Sequence, residues 1–121
     1  MATISKDILS GSTDGKPIAV PINTDPDAFT TVHTGPTDSN HYDVLFLYAT
    51  NANGSTNEQV TVRMNGTANN GKIKAVIPPQ ETVLIVPGIP IKGNSSAVVV
   101  DVGGSSANSA NVFGYVNKIR S

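Results

Sequence analysis

Apolar residues recur at every second position along most of this chain, and hardly anywhere at every third or fourth. That period sends successive side chains to opposite faces of an extended strand. In EQVTVRMNG, residues 58–66, Val60, Val62 and Met64 share one face, read as core. Gln59, Thr61 and Arg63 share the other, read as wet. Residues 42–49 are the strongest run: Tyr42, Val44, Phe46 and Tyr48 alternate with Leu45, Leu47 and Ala49. A run apolar on both faces predicts a central strand covered on both sides. Val83-Leu84-Ile85-Val86 is likewise two-sided and is closed by Pro87-Gly88, so it predicts a strand that lies between layers or meets another chain.

The remaining runs are shorter. Residues 16–22 carry two prolines, which withhold ladder donors and place that strand at a sheet edge. Residues 29–33, 72–77, 81–86, 97–102 and 111–119 read as further strands, separated by Gly-, Asn- and Pro-rich turns at 11–15, 23–28, 51–57, 65–71 and 103–110. The fold class is therefore all-β: a single-domain β-sandwich or jelly roll of about eight short antiparallel strands. Residues 1–10 form an N-terminal arm or edge strand, and residues 11–121 the sandwich domain.

Composition narrows the partners. In 121 residues only 14% are charged against 38% hydrophobic, and the formal charge is -1, so no long-range field draws the chain to nucleic acid or to anionic lipid. With no cysteine, the core holds by packing, helped by self-association. The opening residues lack the apolar stretch of a signal peptide and no run approaches the ~18 residues of a membrane helix, which predicts synthesis and folding in a cytoplasm. Sequon matches at Asn53, Asn65 and Asn94 read as turns.

Reactive chemistry is sparse. His33 and His41, with Asp38 and Asp43 nearby, are spaced too widely for the usual zinc pairs. Asp25-Pro26-Asp27 lacks the glycine and closing glutamate of a calcium loop. Glu58, Glu81 and Asp101 stand apart and read as solvated charges, and no serine sits in a nucleophile elbow. There is no tryptophan, and the six Phe and Tyr fall mostly at core spacing, which disfavours a sugar-stacking surface. The expectation is no enzyme, no metal and no cofactor. Two apolar segments are candidate interfaces instead: Ile4, Ile8 and Leu9 in the arm, which cannot form a core alone, and Val83, Ile85, Ile89 and Ile91 in the two-sided run.

Taken as a set, SGSTDGKPIAV (10–20), TVHT (31–34), VLFLYATN (44–51), IPPQETVLIVPGIPI (77–91) and VFGYVNKI (112–119) resemble short structural proteins of tailed bacteriophages. The group is similar to head decoration, or cement, proteins, and the likeness spans most of the chain. It implies a β-rich domain on the outer capsid surface, made in the host cytoplasm. Its partner would be the major capsid protein, whose neighbouring subunits it ties together, commonly as a homotrimer. A neck, tail or baseplate subunit, and a β-sandwich adhesin or receptor-binding module, are the alternatives.

Overall fold

The structure, a computed structural model, describes residues 3–22, 29–65, 71–105 and 110–121. Among these residues nine strands follow one another: β1 (Thr3–Ile8), β2 (Ile18–Ala19), β3 (Thr30–Thr34), β4 (Tyr42–Asn51), β5 (Glu58–Met64), β6 (Lys72–Ile77), β7 (Thr82–Lys92), β8 (Val99–Gly104) and β9 (Ala110–Arg120). A front sheet has the order β1-β9-β4-β7, with β2 continuing the line of β1 along β9, and a back sheet has the order β3-β8-β5-β6. All strand pairings are antiparallel and nested: β5 with β6, β4 with β7, β3 with β8, β2 with β9. A long hairpin rolled upon itself in this way is a jelly roll.

The core lies between the sheets. Leu45, Leu47 and Ala49 from β4, Val112 and Val116 from β9, and Val86 from β7 meet Val60, Val62, Ile77, Val100 and Val102 from the back sheet, all buried. Each fully buried Val, Leu or Ile contributes roughly 1.5–3 kcal/mol of transfer free energy. Leu9 and Val20, on either side of the 11–15 turn, close one edge of this layer.

Of the two readings of the N-terminal segment the structure takes the edge strand, paired with β9 from Thr3–Arg120 to Ile8–Tyr115, which brings the strands among the described residues to nine. Other expectations are corrected. The strand expected over 16–22 shrinks to two residues plus a bridge from Ile22 to Gly104. β7 does not stop at Pro87-Gly88. It runs on to Lys92 because two irregularities, between its pairings with Leu45 and Phe46 and with Leu47 and Tyr48, absorb extra residues. Gly88, at φ +97, is one of them, a conformation that L side chains rarely adopt. Residues 23–28, including the Asp25-Pro26-Asp27 candidate, most of the 65–71 turn and half of the 103–110 turn lie outside the described residues.

Thr61 and Arg63 were expected to be wet, yet both are buried, at 2% and 7% exposure. Arg63 gives two hydrogen bonds to Asp101, at 2.9 and 2.8 Å, and its guanidinium lies 3.7 Å over the Phe29 ring. Pairing and ring cover let a charged side chain leave water. Glu58, expected to be solvated, is also buried and accepts a 3.0 Å bond from the Ser105 hydroxyl.

Candidate docking face

The strand β4 buries only its odd positions; Tyr42, Val44, Phe46 and Tyr48 stay half-exposed on the outside of the front sheet. No second layer of described residues covers that face. Strand register assembles it in rows. Ile8, Tyr115, Phe46 and Pro87 form one row, and Phe113, Tyr48 and Leu84 the next. Lys6, Asn117, Val44 and Pro90 lie on the other side of the first row, followed by Ile4, Ile119, Tyr42 and Lys92. Five of the chain's six Phe and Tyr thus point outward, which corrects the reading of these rings as core. Ile4, Ile8 and Leu84 are strongly exposed, at 72%, 47% and 43%.

The aromatic rings stand upright and cover one another. Phe46 and Tyr115 stack with centroids 4.8 Å apart, and Tyr48 and Phe113 at 5.4 Å. On the far side of Tyr115 lies the Lys6 ammonium, 4.5 Å from the ring centre. On the far side of Phe46 lies Gly88, where an added Cβ would come within 2.9 Å of the ring. The Phe46–Tyr115 pair is thus capped by Lys6 at Tyr115 and closely approached by the Gly88 backbone at Phe46. Sugars stack on flat ring faces; a protein surface packs against edges and methyl groups equally well.

The candidate interface residues divide. Ile4 and Ile8 belong to this face. Leu9, Ile85 and Ile91, at 1%, 8% and 4% exposure, are core of the chain itself, and Val83 and Ile89 pack half-buried against that core. The two-sided run is hidden without a second copy, except for Leu84, because the irregularities in β7 turn Val83, Val86, Ile89 and Ile91 inward. Leu84, Tyr48 and Phe113 were not among the sequence candidates. The even-position alternation in β4 was the available signal.

Several polar groups among the described residues bind one another. His33, on β3, and Asp43, on β4, bridge the two sheets through a buried 2.7 Å bond. The Ser10 backbone N–H donates to His33 Nδ1 at 3.1 Å, so Nε2 carries the hydrogen and donates to the carboxylate. Arg120 binds the other Asp43 oxygen at 2.8 Å and the Tyr42 carbonyl at 2.9 Å. With both ring nitrogens occupied, His33 is a clamp between sheets and offers no free base. His41 faces a different carboxylate, Asp38, at 3.7 Å, and no cluster of three metal-ligating side chains occurs among the described residues. Asp7 pairs with Lys118 at 3.0 Å, and that bond, with one from the Ile8 N–H, holds its carboxyl below the ordinary carboxylate value. A groove of about 750 Å³ at one end of the sandwich is lined by Met64, Ile73, Ile89, Ile91 and Val98.

No protein family and no curated protein matches this sequence. Among solved structures, a chain of the T13 viral particle of IBDV is similar, with a TM-score of 0.56 and 8% identity over 98% of this chain. The N-terminal CBM22-1–GH10 modules of xylanase 10B from Clostridium thermocellum, complexed with xylohexaose, reach only 0.45 at 13% identity over 96% of this chain, too little overlap to carry an argument. This chain spans about a third of the first of those chains, 31%, and 26% of the second. The likeness that stands is one of fold: a jelly roll like a domain found in a virus shell.

Proposed function

We propose that this protein is a structural component of a virus particle, which decorates the outside of a tailed-bacteriophage capsid and ties neighbouring major capsid subunits together. Capsid shells and lectins both use the jelly roll, so fold by itself does not choose between them. The observation that carries the reading is the outer face of the front sheet, whose apolar positions are left open while four of its rings are stacked on one another in pairs. A surface of that kind gains free energy when another protein covers it. A sandwich held together by packing and by the His33–Asp43 clamp also supplies the rigidity that repeated attachment to a lattice requires.

The test uses particles lacking the protein. Adding purified protein to saturation raises the temperature at which they release their genome; an unchanged release temperature at full occupancy overturns the proposal.

A further inference from the structure

The geometry points to an acidic protein partner for the front face: an apolar patch on another protein, rimmed by carboxylates that meet Lys6 and Lys92. Three observations lead there. The strand positions on this face include two lysines and no carboxylate. Lys6 lies on β1 and Lys92 on β7, the two outer strands of the sheet, one and two rows beyond the Phe46–Tyr115 row toward the same end, so the positive charges rim one end of the aromatic band at its two edges. Asp7, the carboxylate nearest in sequence to Lys6, pairs with Val116 on the other face and is held by Lys118.

A second copy of the chain fits poorly. Packed face to face, two copies would bring lysines together over apolar surface with no acid to answer them, an arrangement that opposes association. The area is also small. Four strands about 4.8 Å apart and some eight residues long, at ~3.4 Å each, present roughly 500 Å². Docking would bury about 1,000 Å² in total, below the ~1,200–2,000 Å² of stable free-standing complexes. Such a contact holds where many copies bind a repeating surface and fails as an isolated dimer, so any trimer made through this face forms on the particle rather than in solution. The partner's chemistry follows from the face alone; its identity as a capsid subunit rests on the function proposed above.

The experiment has two arms. In the first, isotope-labelled protein is titrated with dodecanoate, which joins an apolar tail to a carboxylate, and separately with dodecyltrimethylammonium, which reverses the charge, both below their micelle concentrations. Dodecanoate is expected to shift the amides of Ile8, Tyr48, Leu84 and Tyr115 at concentrations about threefold lower than the cation requires, a preference lost in the Lys6→Glu, Lys92→Glu double variant. Equal responses, or the largest shifts at Val76 on the back sheet or in the groove beside Ile73, overturn the inference. In the second arm, Leu84→Glu, the double variant and Val76→Glu are bound to particles lacking the protein, after circular dichroism confirms that each is folded. The first two are expected to lose about tenfold in affinity, equal to 1.4 kcal/mol, and Val76→Glu to lose none. Wild-type binding with undiminished binding of the face variants sinks the face and leaves the capsid reading standing. Failure of the wild type to bind, with the dodecanoate preference intact, does the reverse.

Discussion

On the front sheet Phe46 points outward, lies between Tyr115 and Gly88, and ends in solvent. On the back sheet Arg63 also points outward, yet it is buried, bound twice by Asp101 and covered by Phe29. The two outer faces thus invert the usual rule, with carbon left wet and charge taken in. The back face pairs its buried charges within the chain, whereas the front face leaves apolar surface with nothing described to cover it. Self-satisfaction specifies a fold, and an open apolar face invites a partner, so the two sheets of one sandwich serve different ends.

Breaking the back face should therefore cost stability directly. Asp101→Ala takes two charge-assisted hydrogen bonds from a guanidinium of which only 9% of the side chain is exposed, and it should destabilise the domain by about 2–3 kcal/mol, read from the urea midpoint. A loss under ~0.5 kcal/mol would place that pair with ordinary surface ion pairs and erase the contrast between the faces. Thr61 supplies a smaller test on the same sheet. Its hydroxyl is buried with no hydrogen-bond partner among the described residues, so Thr61→Val removes an unmet polar group at nearly constant shape and should stabilise the fold by about 1 kcal/mol. Destabilisation there would mean that the hydroxyl is satisfied after all.

The smallest effect belongs to β1, the outer strand of the front sheet, where every side chain is exposed. The Asp7 carboxyl is held below its ordinary value of 3.8, first by the hydrogen bond from Lys118, then by the Ile8 N–H and the Lys118 charge. Its contribution is fully present above that value and is lost as the pH falls through the lowered one. Protection of the β1 amides, taken as exchange relative to the intrinsic rate at each pH, should fall on acidification in the wild type, and Asp7→Asn should remove that dependence while leaving β4 unchanged. An identical acid response in the variant would assign the fraying to other groups.

Much of this architecture was legible because alternation is a local property. The odd positions of β4 and the even positions of β5 declare their shared faces in the sequence, and the prolines of 16–22 declare an edge. What alternation lacks is the other layer. Tyr42, Val44, Phe46 and Tyr48 look as apolar as Leu45 and Leu47, and only pairing between strands distant in sequence decides which set receives a cover. The β7 run misled for a related reason: irregularities at Ile85 and Gly88 shift its phase, so a two-sided run becomes one-sided in space. Arg63, Glu58 and Asp101 read as solvated because their partners lie 38 or 47 residues away. Of the candidate site, Ile4 and Ile8 were found in the sequence, while the aromatic rows were seen and placed inside.

The nested strand order also sets a timetable for the growing chain. β5 and β6 adjoin in sequence and close a short loop, β4 and β7 enclose them, and each completed pair shortens the loop that the next must close. The outermost pairing joins Thr3 to Arg120, 117 residues apart, and waits for the final strand. Long-range β pairing of this kind folds in roughly milliseconds to seconds, whereas a ribosome adds only about 5–20 residues per second. Synthesis, not the fold, is then the slow step. For the several seconds that separate β4 from β9, the aromatic residues of β4 emerge without Tyr115 and Phe113 to stack on, so the nascent chain is most prone to aggregate in that interval and most in need of a chaperone.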